Sequence, residues 1–242
     1  SERLWQEGTL GDRAAVLRQV RRRDADRARQ WLEEVWSQEK ADHRIDLLEA
    51  LTAGLSQADE SFLEDALADR SKRVRTLAAE LLAKIGGSAL AERMRARADV
   101  MLDYEPPAPR GRLAAAVSAA IGGTDDVGKL AITPPAQCEK EWQRDGIEPK
   151  PPQGVGERAY WMSQVVALVR PSHWVNRFSA PPGRLIAAAT ADDFAFTLID
   201  AWSVAALRFD DASWVEALWD FWYEWQPKRK RGTQSQFPQR TF

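Results

Sequence analysis

Wherever the chain shows periodicity, apolar residues recur at helical spacing. Val74, Leu77, Leu81, Leu82 and Ile85 fall at i, i+3, i+7, i+8 and i+11, one stripe of a 3.6-residue helix that Gly86-Gly87 ends. Upstream, Ser56 followed by Asp59 has the form of a capping box and opens a helix carrying Phe62, Leu63, Ala66 and Leu67. The two helices predict a hairpin across Asp69-Arg70-Ser71. An earlier pair is marked by Trp31, Leu32, Val35 and Trp36, then by Leu47, Leu48, Leu51 and Leu55. The pairs are offset by about 30 residues, within the range of helical repeats. Ser88 starts one more helix, with Leu90, Met94, Met101 and Leu102.

The middle of the chain reads differently. Eleven of the thirteen prolines lie between Pro106 and Pro182, so no long regular element crosses that region uninterrupted. Short helices are predicted over 114–121 and over 158–169, the second rich in buried types (Trp161, Met162, Val165, Val166, Leu168, Val169) and stopped by Pro171. Beyond it, Phe194, Leu198, Trp202, Ala205 and Phe209 mark one helix face, and Trp214, Leu218, Phe221, Trp222 and Trp225 mark the next. Trp219 and Tyr223 widen that last stripe, which core packing explains more readily than a partner groove. The resulting prediction is an all-α chain in four parts: helical hairpins over 1–104, a proline-rich connector with short helices over 105–157, an aromatic-rich helical unit over 158–226, and a disordered basic tail over 227–242. Strands are expected to be absent or trivial.

Charge sharpens this division. The net charge of -2 conceals a segment, 185–226, with one basic residue, Arg208, against eight acids. The tail after it carries five basic residues and no acid. A single cysteine, Cys138, and two histidines leave no material for a disulfide or a cysteine and histidine metal cage, which suits a reducing, cytoplasmic setting. The chain has no run of about 18 apolar residues that would predict a membrane span.

Motifs that could carry chemistry are incomplete. Residues 123–129 (Gly-Thr-Asp-Asp-Val-Gly-Lys) have the spacing of a phosphate-binding loop, but Leu130 replaces the magnesium-binding hydroxyl and Pro134-Pro135 forbids a long following helix. His43 and His173 stand outside any metal-binding spacing. The acid pairs Asp125-Asp126, Asp192-Asp193 and Asp210-Asp211 sit where turns and helix starts prefer acids. Cys138 has no histidine near it in sequence to activate it as a nucleophile. No catalytic residue, metal or cofactor is therefore expected. The densest basic run, Arg18, Arg21, Arg22, Arg23, Arg27 and Arg29, is broken by Asp24 and Asp26 and reads first as a salt-bridged helix face.

The run Leu67-Ala68-Asp69, Val74-Arg75, Ala78, Leu82, Ile85 and Gly86 resembles the second half of a HEAT-type repeat. The resemblance implies hairpins stacked as a short solenoid, since a lone hairpin cannot bury both faces. Arg144-Asp145-Gly146-Ile147-Glu148-Pro149-Lys150-Pro151-Pro152, with Gly154, Gly156, Glu157, Arg158, Trp161 and Trp174, resembles an uncharacterised bacterial family. Members of that family have helical repeats at the N-terminal end, and their genes often neighbour MoxR-type AAA ATPases and von Willebrand A-domain proteins. It implies a setting rather than an activity. The leading expectation is a non-enzymatic scaffold or adaptor that binds a protein, such as an AAA ATPase or a von Willebrand A-domain protein, through Arg144, Lys150, Arg158, Trp161 and Trp174. The alternative is a nucleic-acid-binding or base-repair protein, because HEAT-like folds occur in alkylpurine DNA glycosylases. Arg18, Arg21, Arg22 and Arg23 would then contact phosphates.

Overall fold

The computed structural model describes residues 2–108 and 127–229, with side chains as far as Trp225. Thirteen α-helices dominate the described residues. The helix expected over 114–121, the pair Asp125-Asp126 and the tail beyond Arg229 lie outside them. The chain divides into two compact units, one of residues 1–103 with 132–170 and one of residues 104–131 with 171–242.

In the first unit, α1 (Glu2–Glu7), α2 (Leu10–Arg21), α3 (Ala25–Val35), α4 (Ala41–Glu49), α5 (Glu60–Ala66), α6 (Lys72–Lys84) and α7 (Ala89–Asp99) follow one another through short turns. Their starts are written in local chemistry. Thr9 and Asp12 form a reciprocal capping box ahead of α2, Asp24 caps α3 through the Arg27 amide, and Ser88 caps α7 through the Ala91 amide. Ser56 and Asp59 make the expected capping box, but on a 3-10 turn that leads into α5.

Helices α2, α4 and α6 begin at residues 10, 41 and 72, 31 residues apart each time, and pack as a row, α2 on α4 and α4 on α6. Equivalent positions do equivalent work: Leu17, Leu48 and Ala79 are all buried. Helices α3, α5 and α7 pack against this row, α3 on α2 and both α5 and α7 on α6.

The chain leaves the first unit through β1 (Leu102–Glu105) and returns through β2 (Lys129–Ile132), which pair as a two-stranded sheet. This is the small exception to an all-α reading. Helix α8 (Lys140–Arg144) follows, and α9 (Glu157–Val166) packs on α7. The predicted 158–169 helix thus belongs with the N-terminal hairpins instead of opening a separate unit. In sequence it reads only as a buried helix, and the partner that buries it is a helix some 60 residues earlier.

The second unit holds α10 (Ser172–Phe178), α11 (Pro182–Ala189), α12 (Ala195–Arg208) and α13 (Ala212–Arg229). Proline opens α11 rather than breaking it, because a first-turn residue has no intrahelical use for its N–H. Helix α13 packs on both α11 and α12. It continues past Pro227 to Arg229, four residues beyond the last apolar residue of its stripe. The core here is built on Trp174, Trp202 and Trp214, all fully buried.

Candidate functional site

Two ion-paired rungs repeat along the row of helices in the first unit. Arg13, the fourth residue of α2, pairs with Glu39 at 2.6 Å and lies over the Trp5 ring. Arg44, the fourth residue of α4, donates to Asp69 at 3.1 Å and lies over Trp36. The fourth residue of α6, Arg75, turns to the backbone, donating to the carbonyls of Asp69 and Arg70. Burial works against ionisation of Glu39, but bonds from Arg13 and His43 hold its pKa below the ordinary carboxylate range. His43 Nδ1 stands 2.9 Å from the Glu39 carboxylate.

Arg21 lies deeper. Its guanidinium meets both oxygens of Asp59 at 2.8 Å and also donates to the carbonyls of Ala25, Leu51, Ala53 and Gly54. Both side chains are fully buried. Desolvation would raise the Asp59 pKa, yet Arg21, the Ser56 amide and Arg29 together bring it below its ordinary value. Arg21 is thus structural and cannot touch a phosphate backbone, whereas Arg18, Arg22 and Arg23 are exposed. Sequence reasoning grouped these four by adjacency; only the turn of α2 separates the inward one.

The proline-rich segment after β2 is fastened to the same unit. Asp145, almost fully buried, accepts from Arg93 through both oxygens at 2.9 and 3.0 Å and pairs with Arg97 at 2.7 Å. Arg93 also reaches Glu64, and Arg97 lies over Trp142. Gly146 has φ +86, and a Cβ there would stand 2.9 Å from the Ala79 Cβ of α6, so glycine permits both the turn and the approach. The next residue, Ile147, is buried. Glu148 exchanges two hydrogen bonds with Gln164 of α9 and pairs with Lys72 at 2.6 Å, a bond that holds its pKa down.

Against this frame the five residues expected to meet a partner separate. Arg144 is exposed and reaches Glu64 only at 3.5 Å, and Lys150 is exposed. Arg158 donates to the carbonyls of Pro134 and Pro135, which fixes the loop. Trp161 is buried and its indole N–H donates to the Pro149 carbonyl at 2.9 Å. Trp174 is fully buried in the other unit. The two tryptophans are therefore core residues of different units, and neither offers its face to a partner. Asp145, Arg93 and Arg97, the groups that set the loop, were missed in sequence; the alternation of Arg93, Arg95 and Arg97 along one helix was the available signal.

Beside the loop, a shallow groove of about 360 Å³ runs along α4 and α6, lined by Ile45, Leu77, Lys72, Arg73, Glu49 and Glu80. Lys72 belongs to both features, since it also holds Glu148, so groove and loop adjoin. The surface mixes apolar patches with both charge signs, a chemistry suited to a polypeptide. Burial pushes the Cys138 thiol up, away from the nucleophilic thiolate. Lys129 opens a strand, not the helix a phosphate loop requires. Among the described residues no group of three His, Cys, Asp or Glu could hold a metal, and no helix is long and apolar enough to cross a membrane. No curated protein and no solved structure matches this chain. A family model does match, over residues 1–241, and the chain accordingly belongs to DUF5691, a family of unknown function.

Proposed function

We propose that this chain is a non-enzymatic helical-repeat adaptor whose first unit, a short HEAT-like stack, presents the α4–α6 groove and the adjoining loop to another protein. The carrying observation is the fastening of that loop. Asp145 between two arginines, Gly146 against α6 and Arg158 on two proline carbonyls hold a segment without regular structure in one outline, with Arg144 and Lys150 left outward. A preset outline lowers the ordering cost of binding. The resemblance in the 144–158 region supplies the partner class, an AAA ATPase of the MoxR type or a von Willebrand A-domain protein, and a bacterial setting, while the single cysteine suits a cytoplasmic one. The nucleic-acid reading is weaker, because Arg21 is committed to Asp59, Asp24 directly follows the exposed Arg22 and Arg23, and Arg29 is paired with Asp26.

The test is affinity capture from the native host with the full chain, at low and moderate salt, scored for protein and for nucleic acid. A stoichiometric protein partner is expected, with recovery falling about tenfold in an Arg144→Glu, Lys150→Glu chain of unchanged melting temperature. Undiminished recovery would remove this surface from the reading. Capture of nucleic acid alone would replace the adaptor with the alternative.

A further inference from the structure

Among the described residues, the second unit leaves one apolar face exposed. On α13, Val215, Trp219 and Tyr223 recur at i, i+4 and i+8 and are 36%, 72% and 70% exposed. On α12, Val204 and Leu207 are 39% and 69% exposed. The two helices meet along a seam where Trp222 donates to the Ser203 hydroxyl at 3.1 Å and the rings of Phe196 and Trp225 stand 5.2 Å apart, so they run antiparallel. At about 100° per residue, Val204 and Leu207 lie on the solvent side of Ser203, and Val215 and Trp219 on the solvent side of Trp222. These four side chains therefore flank one seam. Next to the apolar stripe of α13 runs an acidic one at the same spacing, Glu216, Asp220 and Glu224, all exposed. The segment 185–226 as a whole has eight acids and one base.

We infer that this face docks a basic amphipathic helix of a partner protein, with the aliphatic side chains of that helix along the seam and its lysines or arginines over Glu216, Asp220 and Glu224. The inference rests on the adaptor reading and gives it a second surface. Charge selects the occupant. A second copy of this chain would bring the same acidic stripe against itself, and a phosphate backbone or an anionic lipid surface would be repelled in the same way. A cationic helix gains attraction over the stripe and buries the apolar seam at once. Trp219 and Tyr223 are the side-chain types that dominate binding energy when a partner desolvates them.

The experiment titrates the full chain calorimetrically with a synthetic leucine–lysine amphipathic peptide of about 18 residues, five helical turns, and with the matching leucine–glutamate peptide. The cationic peptide is expected to bind and the acidic one not. Affinity should fall about tenfold or more in a Trp219→Ser, Tyr223→Ser chain of unchanged melting temperature, and again in a Glu216→Lys, Asp220→Lys chain. Equal affinity across these chains, or equal binding of both peptides, would overturn the inference. So would a sedimenting dimer that Trp219→Ser dissociates, which would make the occupant a second copy. In host capture, a partner retained in full by the Trp219→Ser, Tyr223→Ser chain overturns this surface and leaves the adaptor reading standing; capture of no partner at all overturns the adaptor reading.

Discussion

Tryptophan plays opposite parts in the two units. In the first, Trp5, Trp31, Trp36 and Trp142 each lie under an arginine guanidinium, and Trp161 finds a carbonyl for its N–H. In the second, Trp174, Trp202 and Trp214 are wholly buried, and their indole N–H groups meet no acceptor among the described residues. Trp202 and Trp214 instead pack on each other at 4.9 Å. The difference follows from what surrounds the rings. Residues 1–104 hold eighteen lysines and arginines, whereas 185–226 hold one. Where cations are abundant, a guanidinium covers the indole face. Where they are scarce, burial of large apolar area outweighs one unsatisfied donor, whose cost is about 1–3 kcal/mol.

The first unit should accordingly be sensitive to charge and the second to volume. The largest effect is expected from Asp59→Ala, which strands Arg21 in the interior and should cost about 3–5 kcal/mol in chemical denaturation. A loss no larger than that of an exposed ion pair would break the comparison. Trp202→Ala should cost a similar 3–5 kcal/mol by leaving a cavity beside Trp214, while Trp202→Phe should cost clearly less, since it keeps most of the ring and removes the unsatisfied N–H. Equal losses for the two variants would show that the indole N–H contributes after all.

A smaller effect is expected at the loop. Gly146→Ala places a Cβ in the left-handed region and against Ala79, so a loss of at least about 1 kcal/mol should appear, with faster hydrogen exchange over 144–150. The smallest and most discriminating measurement is acid titration. Asp59, Glu39 and Glu148 all have depressed pKa values in the folded first unit. Their contribution is complete above the ordinary carboxylate value of about 4 and is lost as pH falls through the depressed folded values. Stability of the first unit should therefore drop with acid below about pH 4, and Asp59→Asn should flatten that slope. An unchanged slope would mean that the pair is not the acid-sensitive element.

Much of this architecture was legible in the residues. The α6 stripe, its end at Gly86-Gly87, the Ser56–Asp59 box and the two aromatic helices are all present as read, because helical spacing and capping are local. The repeat was legible only as an offset of about 30 residues. The 31-residue row appears once the helix starts are placed, since its markers, Arg13 and Arg44 over Trp5 and Trp36, are polar and aromatic rather than apolar. The candidate site was less legible still. Arg144 and Lys150 lie outward, Arg158 is exposed but tied to the Pro134 and Pro135 carbonyls, and Trp161 and Trp174 turn inward.

What the sequence by itself determined is the helical class, the hairpin order and the charge asymmetry of the C-terminal helices, all properties of neighbours within a few turns. Tertiary structure alone decided which charges are structural and which face is open. Asp59 finds Arg21 at a separation of 38 residues, and Asp145 finds Arg93 at 52. Nothing local distinguishes those arginines from the exposed ones beside them. Likewise the α13 stripe is apolar over a wide arc in sequence, but α11 and α12 cover only the arc through Trp214 and Leu218. Trp219 and Tyr223 stay outside because two neighbouring helices can bury only one side of a third.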